Sequence, residues 1–209
     1  MHKVYSIKKK KYSKKYFVNF VDFTFESIEL DIDIITKYCI TVDSELDDDT
    51  IAEAMDSQQY KNVKLAAYNY VSYKPRSETE VRRKLEEKNF GINHIDYAIS
   101  FLYEFKLLDD EEYTKTFILN YIKRNPSGKF KLKQELRKRG IEENLISKSI
   151  INNYPNNDVL ELAKIAADKH LRKVAHKPKE KQKNLIIDFL SRRGFEWDII
   201  LKTTENLFQ

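Results

Sequence analysis

Apolar side chains stand four residues apart at three places along the chain: Val81/Leu85, Leu132/Leu136 and Ile186/Leu190. Residues at that spacing share one face of a helix, so each pair predicts a helix with a buried edge. The second members lie 51 and then 54 residues apart, a period long enough for a multi-helix repeat. Four positions beyond each comes Asn89, Gly140 or Gly194, and then an apolar residue: Phe90, Ile141 or Phe195. Asn and Gly best tolerate the left-handed backbone that ends a helix. With these residues at C′, Leu85, Leu136 and Leu190 fall at C3, and the next apolar residue folds back as in a Schellman cap. Lys88, Lys138-Arg139 and Arg192-Arg193 fill the last turns, where cations complement the helix dipole.

Each of these helices has a predicted neighbour on either side. Before the first, Gln58 to Tyr73 carries Leu65, Tyr68 and Val71 on one stripe. Pro75 breaks the chain, and Ser77-Glu78-Thr79-Glu80 has the form of a capping box. After Asn89, the residues Ile92, Ile95, Ile99, Leu102 and Phe105 predict a third helix. The second unit opens at Asp109-Asp110-Glu111-Glu112, runs through Tyr113, Phe117 and Tyr121, breaks at Pro126-Ser127-Gly128 and closes on Leu145, Ile146 and Ile150. The third runs from Asn156-Asn157-Asp158 through Leu162, Ala166 and Val174, breaks at Pro178, and closes on Ile199, Ile200, Thr203 and Leu207, with Trp197 expected as a core plug.

The first 57 residues have another character. Tyr16 to Phe23 and Phe25 to Leu30 are rich in aromatic and β-branched residues and predict short strands. Ile32 to Tyr38 and Thr50 to Met55 predict short helices, the latter capped by Asp47 to Asp49. The expected organisation is an N-terminal α+β extension (1–57) followed by three-helix repeats over 58–108, 109–154 and 155–209.

Composition narrows the function classes. Charged residues make up 34% of the chain and there are only four glycines, a profile of long charged helix faces with little material for Gly-rich catalytic loops. The net charge is +5, which fits an anionic partner, although a slightly basic solvated surface is the plainer reading of that number alone. The distribution says more, because Lys and Arg dominate Lys123 to Arg139 and Lys169 to Lys183. The acidic run Asp43 to Asp49 reads as a helix-capping loop before it reads as a mimic of nucleic acid. Cys39 is the single cysteine, so no internal disulfide forms and a thiolate metal cluster is not expected. The start lacks a signal-peptide core and no apolar run reaches membrane-spanning length, so the expected home is a reducing cytoplasm. His2, His94, His170 and His176 are scattered, and no metal-protease, phosphate-loop or nucleophile-elbow motif occurs, so neither catalysis nor a cofactor or metal is expected.

The repeat also carries a resemblance. Ser72-Tyr73-Lys74-Pro75-Arg76-Ser77-Glu78-Thr79-Glu80-Val81-Arg82-Arg83-Lys84-Leu85 is similar to the S-Y-R-P-R-S-x-x-E-[VL]-x-x-K-L signature of the RecX family. Leu107 to Tyr113 and Gly128 to Ile141 are similar to two further segments of that family. Lys74 and Leu108 stand where Arg and Ile are common there, and Phe189-Leu190 replaces a Glu-Leu pair in the third repeat. The resemblance implies a mainly α fold of three tandem helix-turn-helix-like repeats in an elongated, curved array. It further implies a non-enzymatic regulator that binds in the groove of RecA–single-stranded-DNA filaments and modulates their growth, ATP hydrolysis and strand exchange; inhibition, by a monomer, is the expected direction.

Candidate contact residues are the cations of the helix ends and turns. They are Arg76, Arg82, Arg83 and Lys88 in the first repeat, then Lys123, Arg124, Lys129, Lys131, Lys133, Arg137, Lys138 and Arg139 in the second, and Arg192 and Arg193 in the third. Such arrays neutralise phosphates of single- or double-stranded DNA without reading sequence. For any one Lys a solvated helix face, offset by Glu80, Glu86, Glu87 and Glu135, is the simpler account. Tyr68, Tyr73, Tyr113 and Tyr121 could stack on bases, but their helical spacing assigns most of them to the core. The rival function is a helix-turn-helix transcription regulator, against which stands the scarcity of Asn and Gln at the candidate positions. A helical scaffold with a purely protein partner is a third reading.

Overall fold

A computed structural model describes residues 1–21 and 27–208. It divides into two compact units, residues 1–73 with 82–107, and residues 74–81 with 108–209.

The first unit begins with four strands: β1 (His2–Lys9), β2 (Lys15–Phe20), β3 (Ile28–Asp31) and β4 (Glu45–Leu46). They form an antiparallel sheet in the order β3-β2-β1-β4, with an irregularity in β1 between Val4 and Ser6. Helix α1 (Ile32–Lys37) follows β3 directly. Val4, Val18, Leu30, Ile34, Ile35 and Ile51 are among the residues of a closed apolar cluster here. Strand β1 is absent from the expectations because its lysines interrupt the apolar alternation, leaving Val4 as its one buried side chain. The expected strands reach only Phe20 and begin only at Ile28, and positions 22–26 lie outside the described residues.

Where two helices are expected across position 57 there is one, α2 (Asp48–Tyr73). Its buried edge is Ile51, Ala54, Gln58, Val63 and Ala67. The expected stripe is therefore corrected: Leu65 is 59% exposed and Tyr68 is 46% exposed. Two small or branched residues, Val63 and Ala67, take the buried face and let α2 lie against α4 (Ile92–Glu104). Gln58 is buried and fully used: its Oε1 accepts from the Asp31 amide at 2.7 Å, and its Nε2 donates to Asp31 Oδ2 and Asn62 Oδ1. A buried amide so satisfied links the helix to the end of β3. In α4 the buried residues are Ile95, Ala98, Ile99 and Leu102, while the expected outer members Ile92 and Phe105 are exposed.

In the second unit α5 (Asp110–Arg124), α6 (Lys129–Arg137) and α7 (Glu143–Asn153) enclose Ile118, Ile122, Leu132, Leu136, Ile141, Ile146 and Ile150. A short 3-10 turn then leads to α8 (Val159–Val174), α9 (Lys179–Arg192) and α10 (Trp197–Phe208). Their core sets Ala163, Ala166 and Ala167 of α8 against Ile186, Leu190, Phe195 and Ile200. Trp197 is no core plug: it is 59% exposed at the start of α10, and Phe195 and Ile200 fill the interior instead.

The helix ends follow the sequence rule closely. The Phe90, Ile141 and Phe195 amides donate to the Leu85, Leu136 and Leu190 carbonyls at 3.2–3.3 Å, and the Asn89, Gly140 and Gly194 amides donate to Glu86, Arg137 and Ser191. These are the two bonds of a Schellman cap. Asn89, Gly140 and Gly194 have φ of 61°, 72° and 76°. Cys39 and Lys106 close α1 and α4 with the same pair of bonds at φ of 52° and 53°, without the Gly or Asn that would announce it.

Candidate nucleic-acid interface

The middle helices do more than bury a leucine each. Within the second unit, the residues before and at the start of α3 (Glu78–Glu86) lie against the stop of α6. Ser77 Oγ donates to the Arg139 carbonyl at 2.6 Å, and Thr79 Oγ1 donates to the Gly140 carbonyl at 3.0 Å. Glu80 completes the capping box: Ser77 N donates to its Oε2, and its own amide donates to Ser77 Oγ. The start of α6 meets the stop of α9 at the corresponding positions, with the Gly128 backbone amide in place of a side-chain hydroxyl donating to the Arg193 carbonyl at 2.9 Å. Ser77 and Gly128 are 51 residues apart, while Arg139 and Arg193 are 54 apart, so the joint repeats with the period of the leucines. A Cβ on Gly128 would run into the Gly194 carbonyl, so the second joint demands glycine at that close approach. Thus Ser77, Glu80 and Gly140, which belong to the matched motifs, serve the joint.

Several candidate cations are engaged inside the fold. Glu135, with a side chain only 16% exposed, receives Lys131 and Lys138 at 3.2 Å and Arg139 at 3.3 Å. Burial alone would raise the Glu135 carboxyl; hydrogen bonds from Lys138, Lys131 and Arg139 outweigh it and hold it below the usual glutamate range. Arg139 also lies over the Phe117 ring at 4.3 Å, a cation–π contact. Arg137 makes a two-pronged pair with Glu143 at 2.8 and 2.7 Å, and Lys133 adds to the positive field on that carboxylate. Lys129 sits over the Tyr154 ring at 5.6 Å. Arg76 approaches Glu80 at 3.9 Å, and Arg82 bonds Asp96 at 2.6 Å. Arg83, Lys88, Lys123, Arg124 and Arg192 are exposed, and Arg193 is half-buried over Phe189. Arg82, Arg83 and Lys88 belong to the first unit and the other candidates to the second.

The candidate aromatics divide. Tyr113 and Tyr121 flank Phe117 in a half-buried row with ring centroids 6.3 and 5.3 Å apart. Burial, reinforced by Glu80, pushes the Tyr113 phenol up to about 12. Tyr73 is 85% exposed, beyond which Tyr68 too is exposed rather than in the core. In the acidic run, Asp47 Oδ1 accepts from the Thr50 amide as a cap, and Asp43 pairs with Lys3. Among the described residues no group of three or more His, Cys, Asp and Glu could hold a metal, and no helix is long and apolar enough to cross a membrane.

Sequence reasoning missed Lys169, His170 and Lys173, which adjoin Arg124 and Arg193 around one cavity of the second unit. The basic run Lys169 to Lys183 hinted at the lysines, but only the packing of α8 places them beside the end of α5.

Three-helix repeats with identical caps and a recurring joint define a tandem helical-repeat protein. Comparison with known proteins gives its kind. The models of the first, second and third three-helix domains of RecX match residues 64–102, 109–150 and 157–203. The regulatory protein RecX of Lactococcus lactis subsp. lactis strain IL1403 is 32% identical over 210 residues, 99% of this chain and 77% of the relative. That of Clostridium perfringens strain SM101 is 28% identical over 99% of this chain and 98% of the relative. A crystal structure of a regulatory protein RecX superposes with a TM-score of 0.70 at 21% identity, covering 98% of this chain and all of that one. The RecX structure from Lactobacillus salivarius gives 0.63 at 26% identity, over 72% of this chain and 97% of the other. The chain belongs to the RecX family.

Proposed function

We propose that this protein is a non-enzymatic regulator that binds RecA–single-stranded-DNA filaments as a monomer in the cytoplasm and lowers recombinase ATPase and strand exchange. Family membership across all three repeat domains carries the reading, since the relatives are named regulatory proteins. The recurring joint supports it physically: equivalent units linked in an equivalent way suit a periodic target, each repeat meeting an equivalent site. Exposed cations at the ends of α3, α5 and α9 supply the anion-facing part of the contact.

The test is RecA's single-stranded-DNA-stimulated ATPase and strand exchange with increasing amounts of the protein. The expected outcome is inhibition at ratios well below one protein per recombinase. Unchanged ATPase and strand exchange at equimolar protein would refute the reading. A footprint on one duplex sequence without recombinase would favour a transcription regulator instead.

A further inference from the structure

Several cations of the second unit are neutralised inside the fold. Lys131, Lys138 and Arg139 gather on Glu135, and Arg137 is held by Glu143. Arg124, Lys169, Lys173 and Arg193 are different. They surround one cavity of about 190 Å³ at the end of α5 and between α8 and α9, and none of them has an ion-pair partner among the described residues. Its lining includes no carboxylate. This holds in a chain with 33 acidic residues to place.

Stacked rings line the cavity. His170 and Phe189 stack face to face, with centroids 4.2 Å apart and planes parallel, and the Arg193 guanidinium lies over the Phe189 ring at 5.1 Å. The Arg193 carbonyl is tied to the joint, where it accepts from the Gly128 amide. His170 reports the local field: burial, then the charges of Lys173, Arg192 and Arg193, hold its imidazole below the ordinary range. Like charges crowded around a concave, partly desolvated surface repel one another unless an anion enters, and such a cleft focuses its field on one.

The geometry points to a phosphate-binding site at Arg124, Lys169, Lys173 and Arg193 that takes a backbone phosphodiester of single-stranded nucleic acid. The cavity is smaller than the roughly 300 Å³ at which small-molecule sites begin, so it admits a phosphate group while the rest of the ligand stays outside. That fits a strand passing over the surface better than an enclosed nucleotide. Two arginines supply planar forks for phosphate oxygens, and two lysines supply point charges. The inference rests on the nucleic-acid side of the proposed function and fixes where in the second unit it operates.

The experiment uses the full chain, a fluorescein-labelled oligothymidylate, and anisotropy over a range of salt concentrations. Lys169 and Lys173 are exposed on α8, so Lys169→Gln/Lys173→Gln removes charge without opening a core. The Lys181→Gln/Lys183→Gln double variant, in exposed positions on α9 outside the cavity, is the control for net charge. Loss of two phosphate contacts lowers the slope of log affinity against log salt by about 1.4, a roughly 25-fold loss at about 0.1 M salt. The control stays within about twofold of wild type, and Lys169→Arg/Lys173→Arg restores the slope. Inorganic pyrophosphate added to the wild type moves the His170 titration midpoint upward by NMR, since a bound anion cancels the neighbouring charges.

Equal slopes for the cavity variant and the control would overturn the site, as would a His170 midpoint unmoved by pyrophosphate. Binding confined to phosphatidylglycerol vesicles, with none to the oligonucleotide, would overturn it too. All these readouts need no recombinase, so a failed ATPase assay with intact oligonucleotide slopes counts against the proposed function and not against this site.

Discussion

Replacing Gly140 by alanine tests the joint and the cap together. Gly140 has φ of +72°, and a Cβ there would collide with Thr79 Oγ1, Cγ2 and Cβ. Rotating Thr79 moves the first two atoms but not the third, so the start of α3 must shift. Alanine in left-handed backbone costs about 1–2 kcal/mol, of which a few tenths return through the stiffer unfolded chain. Forcing extra volume into a close contact adds about 1–3 kcal/mol. The expected destabilisation of Gly140→Ala is about 2–4 kcal/mol, seen as a Tm lower by roughly 6–12 °C for a chain of this size. Thr79→Gly removes the colliding atoms at its own cost in helix propensity and one hydrogen bond. In that background Gly140→Ala loses the overlap component, so a double-mutant cycle by urea unfolding returns a coupling of about 1–3 kcal/mol. Asn89→Gly, at φ of 61°, is the opposite perturbation, expected to be neutral or stabilising by up to about 1 kcal/mol. A coupling below about 0.5 kcal/mol would refute the joint, and a harmless Gly140→Ala would refute the cap as well.

Two other predictions concern ionisation. Burial, with Glu196 adding to it, pushes the Tyr154 phenol up to about 12, and its hydroxyl donates to the Ser127 carbonyl at 3.1 Å. Below pH about 10 both folded and unfolded states keep that proton; between about 10 and 12 the unfolded state loses it first, so about 2–3 kcal/mol of stability disappears over that window. Tyr154→Phe should lose about 1 kcal/mol at neutral pH and show a shallower alkaline decline in urea midpoint; an identical decline would count against the assignment. Glu135 carries a depressed pKa, so its contribution is present above the ordinary glutamate value and fades as pH falls through its folded value. Glu135→Gln is expected to cost about 1–2 kcal/mol near neutrality, to flatten that acid limb, and to steepen the salt dependence of oligonucleotide binding by releasing Lys131, Lys138 and Arg139. An unchanged slope would mean that those cations do not face nucleic acid.

Much of the helical scaffold can be read from residue types at fixed offsets. Leu85, Leu136 and Leu190 with their Asn or Gly stops yield both cap bonds, and Ser77 to Glu80 yields a capping box, because each depends on residues within six positions of one another. The caps at Cys39 and Lys106 escape the same reading, since neither residue type favours positive φ. Leu65, Tyr68 and Trp197 mislead for a related reason. A large apolar side chain signals burial on average, yet α2 and α10 bury smaller residues where close helix contact leaves no room. Strand β1 is hidden because its identity comes from its partners β2 and β4 rather than from its own alternation.

The candidate site shows the same division. Its residue types, a run of Lys and Arg on helix ends, are present in the linear chain, and so is the repeat that displays them. Which cations are neutralised at home and which are left around a cavity depends on contacts between residues far apart in sequence. Glu135 claims three of them through its own helix and the next turn, whereas Arg124 meets Lys169, Lys173 and Arg193 only after α5, α8 and α9 have packed. Backbone caps and helix faces are set by local offsets that the chain carries from synthesis. Charge pairing across helices is set by where side chains end up after the cores around Leu136 and Leu190 have closed.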